Sequence, residues 1–272
     1  MIKGLRCEDH GPIRAYRMTR YLAGRYVSSV MAYVVDGLLI DTGPRTCRAA
    51  FGEILRREKI SRIVLTHHHE DHVGNAAAAA QSTGVTPCIH PLGVALARTP
   101  PSLPFYRRLM FGTPGSVDAA PLPELVETDS HAFRVLHTPG HAADHVALHE
   151  PEQEWLFAGD LFLNEHPRRI MPFEDVGKLV SSLRRVLAIP DCQLFCQHSG
   201  RFASHQHRLG RRLDNLLGLR ERAVMHFEEG RSIKEIAAAL DIRDGFNRLL
   251  SRDEWTGRNL VTGLLRDAGK ID

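Results

Sequence analysis

Residues 66–75 read Thr66-His67-His68-His69-Glu70-Asp71-His72-Val73-Gly74-Asn75. The pattern His-x-His-x-Asp-His puts four metal-binding side chains into six residues: His67, His69, Asp71 and His72. The stretch follows the apolar run Ile63-Val64-Leu65, which is typical of a buried strand. Four ligands so close together cannot all reach one ion without strain. They fit two ions, with the first two histidines directed to one ion and the last two residues to the other. Neutral imidazole and carboxylate suit Zn²⁺ and also permit Fe or Mn.

The composition is that of an ordinary globular protein, except that histidines are concentrated in one region of the sequence. The chain has 272 residues, is 43% hydrophobic and contains 16 histidines, ten of them between His67 and His149. A chain of this length buries a core without disulfide or metal staples. No apolar run approaches the ~20 residues of a membrane-spanning helix, so no membrane association is expected.

Charge and cysteine content point to the cytoplasm. The net charge of +3 is too small to imply a polyanionic partner. The five cysteines are an odd number and are widely scattered, which fits a reducing cytosol better than secretion. Arg6, Glu8 and Asp9 interrupt the place where an export signal needs apolar residues.

Strand-like and helix-like segments alternate along residues 1–202, which predicts an α/β domain. The pair Asp36-Gly37 predicts a tight hairpin turn, and the hairpins indicate a mixed sheet. Residues 91–123 contain seven prolines, which predicts a long excursion with one short helix near 102–111. This excursion is expected to be either a lid over the site or a solvated loop, and Arg107 and Arg108 either pair with an anionic substrate or form a solvated helix face.

Residues 203–272 have a helical pattern and are predicted to form a separate C-terminal module. A long helix is expected over 203–228. The pair Ser232 and Glu235 forms a capping-box signature for a second helix, and a third helix is expected near 256–268. Three short helices followed by an extended residue resemble a winged-helix module. The predicted boundary therefore divides a first domain, 1–202, from a helical module, 203–272.

Four further motifs accompany the histidine motif in a fixed order. They are Leu39-Ile40-Asp41-Thr42-Gly43, Thr138-Pro139-Gly140-His141, Phe157-Ala158-Gly159-Asp160 and Gln197-His198-Ser199-Gly200. Together the five motifs resemble those of the metallo-β-lactamase fold superfamily of metallohydrolases, and the glyoxalase II-like or lactamase-β-like-2 branch in particular. The resemblance implies an αββα sandwich of two mixed sheets flanked by helices, with the C-terminal helical module added.

The resemblance also implies a ligand set for two divalent metal ions, with zinc the leading candidate. It assigns His67, His69 and His141 to the first ion. It assigns Asp71, His72 and His198 to the second ion, with Asp160 bridging the two and Asp41 lying behind the site. The last loop reads Gln197-His198-Ser199, where the family usually has Gly-His-Gly, but the imidazole is kept. His68 and Glu70 occupy variable positions and receive no ligand role. Three further histidines lie near the ligand motifs in sequence: His90, His137 and His145. Each is expected either to form a hydrogen bond with a ligand or to have a structural role.

The expected activity is hydrolysis by a hydroxide that bridges the two metal ions, with Asp71 both binding metal and orienting the nucleophile. The leading substrate is a small acyl ester or thioester. A metal-dependent RNA endonuclease is the alternative, and a mono-iron sulfur dioxygenase is a further one. A nucleic-acid-binding regulator with a vestigial metal domain is the third class. The small charge surplus of the C-terminal module disfavours a nucleic-acid partner. The sequence does not predict an oligomeric state.

Overall fold

A computed structural model describes residues 4–242, 244 and 251–272 of the chain. In that part of the chain, seven strands form a first mixed sheet in the order of the sequence. The first four strands pair antiparallel and the last three join in parallel. The strands are β1 (Leu5–His10), β2 (Ile13–Leu22), β3 (Arg25–Val35), β4 (Leu38–Ile40), β5 (Arg62–Leu65), β6 (Cys88–Ile89) and β7 (Ala120–Pro121).

The second sheet has six strands among the described residues, in the order β13-β12-β11-β10-β9-β8. Its β11 and β12 pair in parallel and its other neighbours pair antiparallel. The strands are β8 (Leu125–Glu127), β9 (Ala132–His137), β10 (Val146–Glu150), β11 (Trp155–Phe157), β12 (Gln193–Cys196) and β13 (Gly200–Phe202). Both sheets are therefore mixed, as the sequence predicts.

Helices cover the outer face of each sheet. The helices are α1 (Arg48–Arg57), α2 (Glu70–Val73), α3 (Ala76–Thr83), α4 (Pro91–Arg98), α5 (Phe105–Phe111), α6 (Val176–Leu187), α7 (His205–Glu228), α8 (Ile233–Ala239) and α9 (Gly257–Asp267). One buried apolar cluster lies between the sheets and includes Tyr33, Phe157 and Phe195. A second cluster joins the first sheet to α1 and α3, and a third joins the second sheet to α6, α7 and α9. The predicted αββα sandwich is confirmed.

The three predicted C-terminal helices are present at nearly the expected positions. The Ser232 side chain accepts a hydrogen bond from the backbone N–H of Glu235, and the Glu235 side chain returns one, so the capping box is formed. Leu209 and Leu216 of α7 and Leu260 of α9 are buried in the cluster that covers the second sheet. The C-terminal helices therefore complete the outer layer on that side.

The proline-rich excursion contains more regular structure than the sequence indicates. Residues 91–98 form α4, where the proline content predicts irregular backbone. Pro91 stands at the first helical position, where its missing N–H removes no helical hydrogen bond. The His90 ring accepts a hydrogen bond from the backbone N–H of Leu92 at 3.3 Å and caps the helix. The proline content therefore overestimates how much of residues 91–123 has irregular backbone.

Within the part of the chain that the structure describes, no helix combines the length and hydropathy that a membrane span requires.

Candidate metal centre

The structure brings the seven predicted ligands to one end of the sandwich, where strands of both sheets terminate. His67 to His72 follow β5 of the first sheet. His141, Asp160 and His198 follow β9, β11 and β12 of the second sheet. Residues far apart in sequence meet there because the ends of these strands lie along the same edge of the sandwich. The edge is the candidate metal centre.

The seven side chains fall into three overlapping groups, and the ligand atoms of each group lie within 4.8 Å of one another. The first group is His67, His69 and His141. The second group is Asp71, His72 and His198. The third joins one histidine from each side to an aspartate: His67, His72 and Asp160. The three groups overlap, because His67 and His72 each belong to two of them.

The Asp160 carboxylate lies between the two outer groups. Its Oδ2 atom is 3.3 Å from His141 Nε2 and 3.3 Å from His198 Nε2. Its Oδ1 atom is 3.3 Å from His72 Nε2. Across the second group, Asp71 Oδ2 is 3.4 Å from His198 Nε2. A carboxylate with histidine nitrogens on both sides is suited to bridging two ions.

Several ligand atoms of this cluster are buried without a hydrogen-bond partner. Among the described residues they include His67 Nε2, His69 Nε2, His72 Nε2 and Asp160 Oδ1. A buried polar atom that lacks a partner costs free energy, about 1–3 kcal/mol for a neutral group. Four such atoms converge on one small volume. The donor set and its unsatisfied atoms therefore fit divalent metal ions bound by nitrogen and oxygen.

The electrostatics of the cluster also favour cations. Burial works to lower the pKa of His72, but the carboxylates of Asp160 and Asp41 outweigh it and raise that pKa well above its usual value. Burial lowers the pKa of His67 and of His69 well below the usual value, so these imidazoles are neutral. A neutral imidazole keeps a free nitrogen lone pair, which metal binding requires.

Asp41 holds His72 from behind the centre. His72 Nδ1 lies 2.9 Å from Asp41 Oδ2, so a neutral His72 that binds metal would keep its proton on Nδ1 and present Nε2 to the ion. The backbone N–H of Thr66 donates to Asp41 Oδ1 at 2.8 Å. Asp41 is fully buried and has a φ of +61°, a region that aspartate tolerates better than most residues. The structure thus places Asp41 where the sequence predicts it.

Gln197 occupies the position where the family usually has glycine, and its side chain is fully buried. Its Nε2 atom donates to Asp41 Oδ2 at 2.9 Å. Its backbone carbonyl accepts a hydrogen bond from the N–H of Met31 at 2.6 Å. The departure from Gly-His-Gly therefore adds a contact between the last ligand loop and the carboxylate that orients His72.

Glu174 is a contributor that sequence reasoning does not find. Its Oε2 atom lies 3.1 Å from His141 Nδ1, and its Oε1 accepts a hydrogen bond from the backbone N–H of Met171 at 2.7 Å. Glu174 thus orients His141 as Asp41 orients His72. No motif marks the residue, because it lies in an irregular segment just before the N-cap of α6, Asp175.

His145 supports Asp160 through its backbone and packs beside the ligand cluster, with its ring centroid 5.1 Å from that of His67. Its Nε2 accepts a hydrogen bond from the backbone N–H of Asp160 at 2.8 Å, and its Nδ1 lies 2.8 Å from Thr138 Oγ1. Burial lowers the pKa of His145 to about 3, so the ring stays neutral and can accept this bond. Of the three histidines near the site, His145 has the supporting role. His90 and His137 stack on each other with centroids 4.1 Å apart.

The side chains at the two variable positions of the motif contact residues outside the ligand set. His68 Nδ1 lies 2.7 Å from Asp144 Oδ1. Glu70 accepts two hydrogen bonds from Arg107, Nε to Oε1 at 2.7 Å and Nη2 to Oε2 at 2.6 Å. Arg107 is also 3.3 Å from Glu254 Oε1, and Tyr106 donates to Glu254 Oε2 at 2.6 Å. Arg107 is therefore neither a solvated residue nor a free partner for a substrate anion, because these carboxylates occupy it.

Comparison with known proteins agrees with this geometry. Residues 25–198 match the sequence profile of the metallo-beta-lactamase superfamily. The chain therefore belongs to that superfamily of metal-dependent hydrolases.

Named relatives match part of the chain. The beta-lactamase-like protein 2 homolog of Drosophila melanogaster is 32% identical over 178 residues, which cover 59% of this chain and 54% of that protein. The hydroxyacylglutathione hydrolase of Pseudomonas aeruginosa (strain LESB58) is 32% identical over 180 residues, which cover 65% of this chain and 60% of that protein. The chain thus spans little more than half the length of these two relatives.

Solved structures share the fold over almost the whole chain. A metallo-beta-lactamase family protein from Thermus thermophilus superposes with a TM-score of 0.72 at 21% identity, covering 96% of this chain and 95% of that one. A beta-lactamase domain protein from Burkholderia ambifaria gives a TM-score of 0.75 at 18% identity, covering 98% and 89%. Both likenesses extend beyond residues 25–198 and include the C-terminal helices.

Proposed function

We propose that this chain is a dinuclear metal-dependent hydrolase of small acyl esters or thioesters. The observation that carries the proposal is the arrangement of seven side chains in three overlapping groups, with the Asp160 carboxylate between the outer two. We assign His67, His69 and His141 to the first ion. We assign Asp71, His72 and His198 to the second ion. Zinc suits this nitrogen and oxygen set, and iron or manganese is permitted.

Bound divalent ions would lower the pKa of a coordinated water to about 7 and polarise the acyl oxygen. The residues of the chain perform the positioning. Asp41 and Glu174 fix the ring orientations of His72 and His141. Asp71 reaches the second group from the first turn of α2, where its carboxylate can also accept a proton from the nucleophile.

The acyl substrate class is supported by the relatives named hydroxyacylglutathione hydrolase, which by that name act on an acyl-glutathione. The metal ligands themselves do not select among acyl and phosphoryl substrates. The protein is expected to act in the cytoplasm, since all five cysteines are unpaired. We also propose residues 1–202 as the hydrolase domain and 203–272 as a module that completes its outer layer.

The proposal is tested by metal analysis and a substrate screen on the same preparation. We expect two divalent metal ions per chain, and turnover of acyl-CoA, acyl-glutathione or lactone substrates that the Asp71→Ala variant lacks. Cleavage of single-stranded RNA alone, lost in the same variant, would replace the acyl assignment with an endonuclease. A single iron with oxygen uptake on a persulfide would identify a sulfur dioxygenase. Less than one metal ion per chain would overturn the metallohydrolase proposal.

A further inference from the structure

Phe173 stands beside the first group of ligands with half of its side chain exposed. Its ring meets the His69 ring edge-on, with centroids 5.5 Å apart and planes at 66°. The residue is 50% exposed, whereas His69 is 7% exposed. The buried part of the phenyl ring therefore covers a predicted metal ligand, and the rest of it faces solvent next to the centre.

Anchored residues lie on either side of this ring. The guanidinium carbon of Arg107 lies 6.0 Å from the Phe173 ring centroid, and that guanidinium is held by Glu70. The next residue along the chain, Glu174, is hydrogen-bonded to His141 and to the backbone of Met171. The ring is therefore placed between His69, Arg107 and an anchored backbone segment, and an apolar surface already in place binds a ligand with a smaller ordering cost.

We propose that Phe173 forms an apolar subsite beside the first metal ion and receives the hydrocarbon part of the substrate acyl group. The inference rests on the proposed function and narrows its substrate class to esters or thioesters of apolar acids. The acyl chain is the favoured occupant, because thiol carriers such as glutathione or coenzyme A are polar and charged and gain little from a phenyl surface. A hydrocarbon chain gains roughly in proportion to the apolar area it buries.

The test compares wild type, Phe173→Ala and Met225→Ala as metal-loaded proteins on thioesters with acyl chains of two to eight carbons and one fixed thiol. Met225 is a matched control because it is 49% exposed and lies on α7, which contains none of the predicted ligands. We expect kcat/KM of the wild type to rise with chain length, by up to about fourfold for each methylene. Phe173→Ala should lose this dependence, chiefly through a higher KM for the longer chains. Its kcat/KM for acetyl thioesters should change by less than about threefold, because an acetyl group buries little hydrocarbon. Met225→Ala should follow the wild type.

Three results would overturn the subsite. Equal chain-length dependence in wild type and Phe173→Ala would show that the ring does not contact the acyl group. A second series keeps one acyl group and varies the thiol. If Phe173→Ala loses the wild type's dependence of kcat/KM on the thiol in that series, the Phe173 surface contacts the leaving group instead. A reduced metal content in Phe173→Ala would show that the ring acts by supporting His69.

Binding of product-like acids separates the subsite from the proposed function. Calorimetry measures the affinity of the protein for linear carboxylates of two to eight carbons, and so tests the subsite without turnover. If the wild type binds longer acids more tightly and Phe173→Ala does not, the subsite is supported. If no thioester is hydrolysed in that case, only the proposed function is overturned. If thioesters are hydrolysed but both proteins bind all acids equally, the function stands and the subsite is overturned.

Discussion

The Gln197 side chain donates a hydrogen bond to Asp41 Oδ2 at 2.9 Å, and both residues are fully buried. Asp41 follows β4 of the first sheet and Gln197 follows β12 of the second. The bond therefore joins the two halves of the sandwich directly behind the predicted metal ligands. The same Asp41 oxygen lies 2.9 Å from His72 Nδ1, so Gln197 acts on His72 through one shared atom.

Replacing Gln197 with leucine should weaken the second metal site. Leucine keeps most of the volume but removes the donor, so Asp41 and His72 lose one of their constraints. Loss of such an outer partner typically reduces metal affinity about 10–100-fold. Chelator competition with Zn²⁺ should show weaker binding of one ion and little change in the other. Gln193→Leu, at the start of β12 with a side chain that accepts a hydrogen bond from Arg201, is the control and should leave both affinities unchanged.

Replacing Arg107 with methionine should destabilise the fold more than a surface change does. Glu70 would keep a buried carboxylate that has lost its paired cation, and breaking a buried pair costs about 3–5 kcal/mol. The double variant Arg107→Met with Glu70→Leu removes both charges and should recover a large part of the loss. Urea unfolding of wild type, both single variants and the double variant measures this. A double variant less stable than Arg107→Met would contradict the pairing.

Metal binding should stabilise the protein, and this effect should depend on Asp160. A ligand present at about 1,000 times its dissociation constant adds about 4 kcal/mol to the free energy of unfolding. Adding Zn²⁺ to chelator-treated wild type should therefore raise the thermal midpoint by several degrees. Asp160→Asn keeps the size but loses the bridging charge, and should show a smaller rise with fewer than two ions bound. An equal rise in both proteins would exclude Asp160 as a ligand.

Two glycine-to-alanine substitutions should have opposite effects on stability. A Cβ at Gly159 would lie 2.4 Å from His145 Nε2, and the residue has a φ of +53°. Gly159→Ala should therefore displace His145, lower the thermal midpoint and reduce metal content. At Gly210, inside α7, a Cβ meets no atom within 4 Å. Gly210→Ala should stabilise the protein by about 0.5–1 kcal/mol, since glycine is a poor helix former.

His205 should make stability fall on acidification. Its Nδ1 accepts a hydrogen bond from the backbone N–H of Cys192 at 2.9 Å, and burial lowers its pKa below the usual value. The unfolded chain then takes up a proton near pH ~6.5 while the folded chain resists it. Stability is therefore fully present above that pH and is lost as the pH falls below it, by at most about 1.4 kcal/mol per pH unit. Urea unfolding from pH 7.5 to 5 should show a steeper loss in wild type than in His205→Gln.

The sequence predicts the fold well where an apolar strand pattern is followed directly by loop or turn residues. The run Ile63-Val64-Leu65 before the histidines is β5, and the turn at Asp36-Gly37 joins β3 to β4. The convergence of His198 with residues far earlier in the chain could be predicted only from the resemblance, because composition and spacing carry no information on which strand ends meet. The assignment of these residues to metal stays a prediction.

Other parts of the site could not be read from the sequence for physical reasons. Glu174 acts through one hydrogen bond from an irregular segment, which has no periodicity. The role of Arg107 depends on Glu70 and Glu254, which are 37 and 147 positions away. The α4 helix escapes prediction when every proline is treated as a breaker, whereas Pro91 is at the first helical position, where it favours the helix.

The bonds from Arg107 to Glu70 and Glu254 set an order of events during synthesis. Glu70 is translated early and Arg107 follows it by 37 positions, whereas Glu254 comes 147 positions after Arg107. The full set of bonds around Arg107 can therefore form only after Glu254 has been made. Every predicted metal ligand precedes Glu254 in the sequence, so this outer contact is completed only after all the ligands have been made.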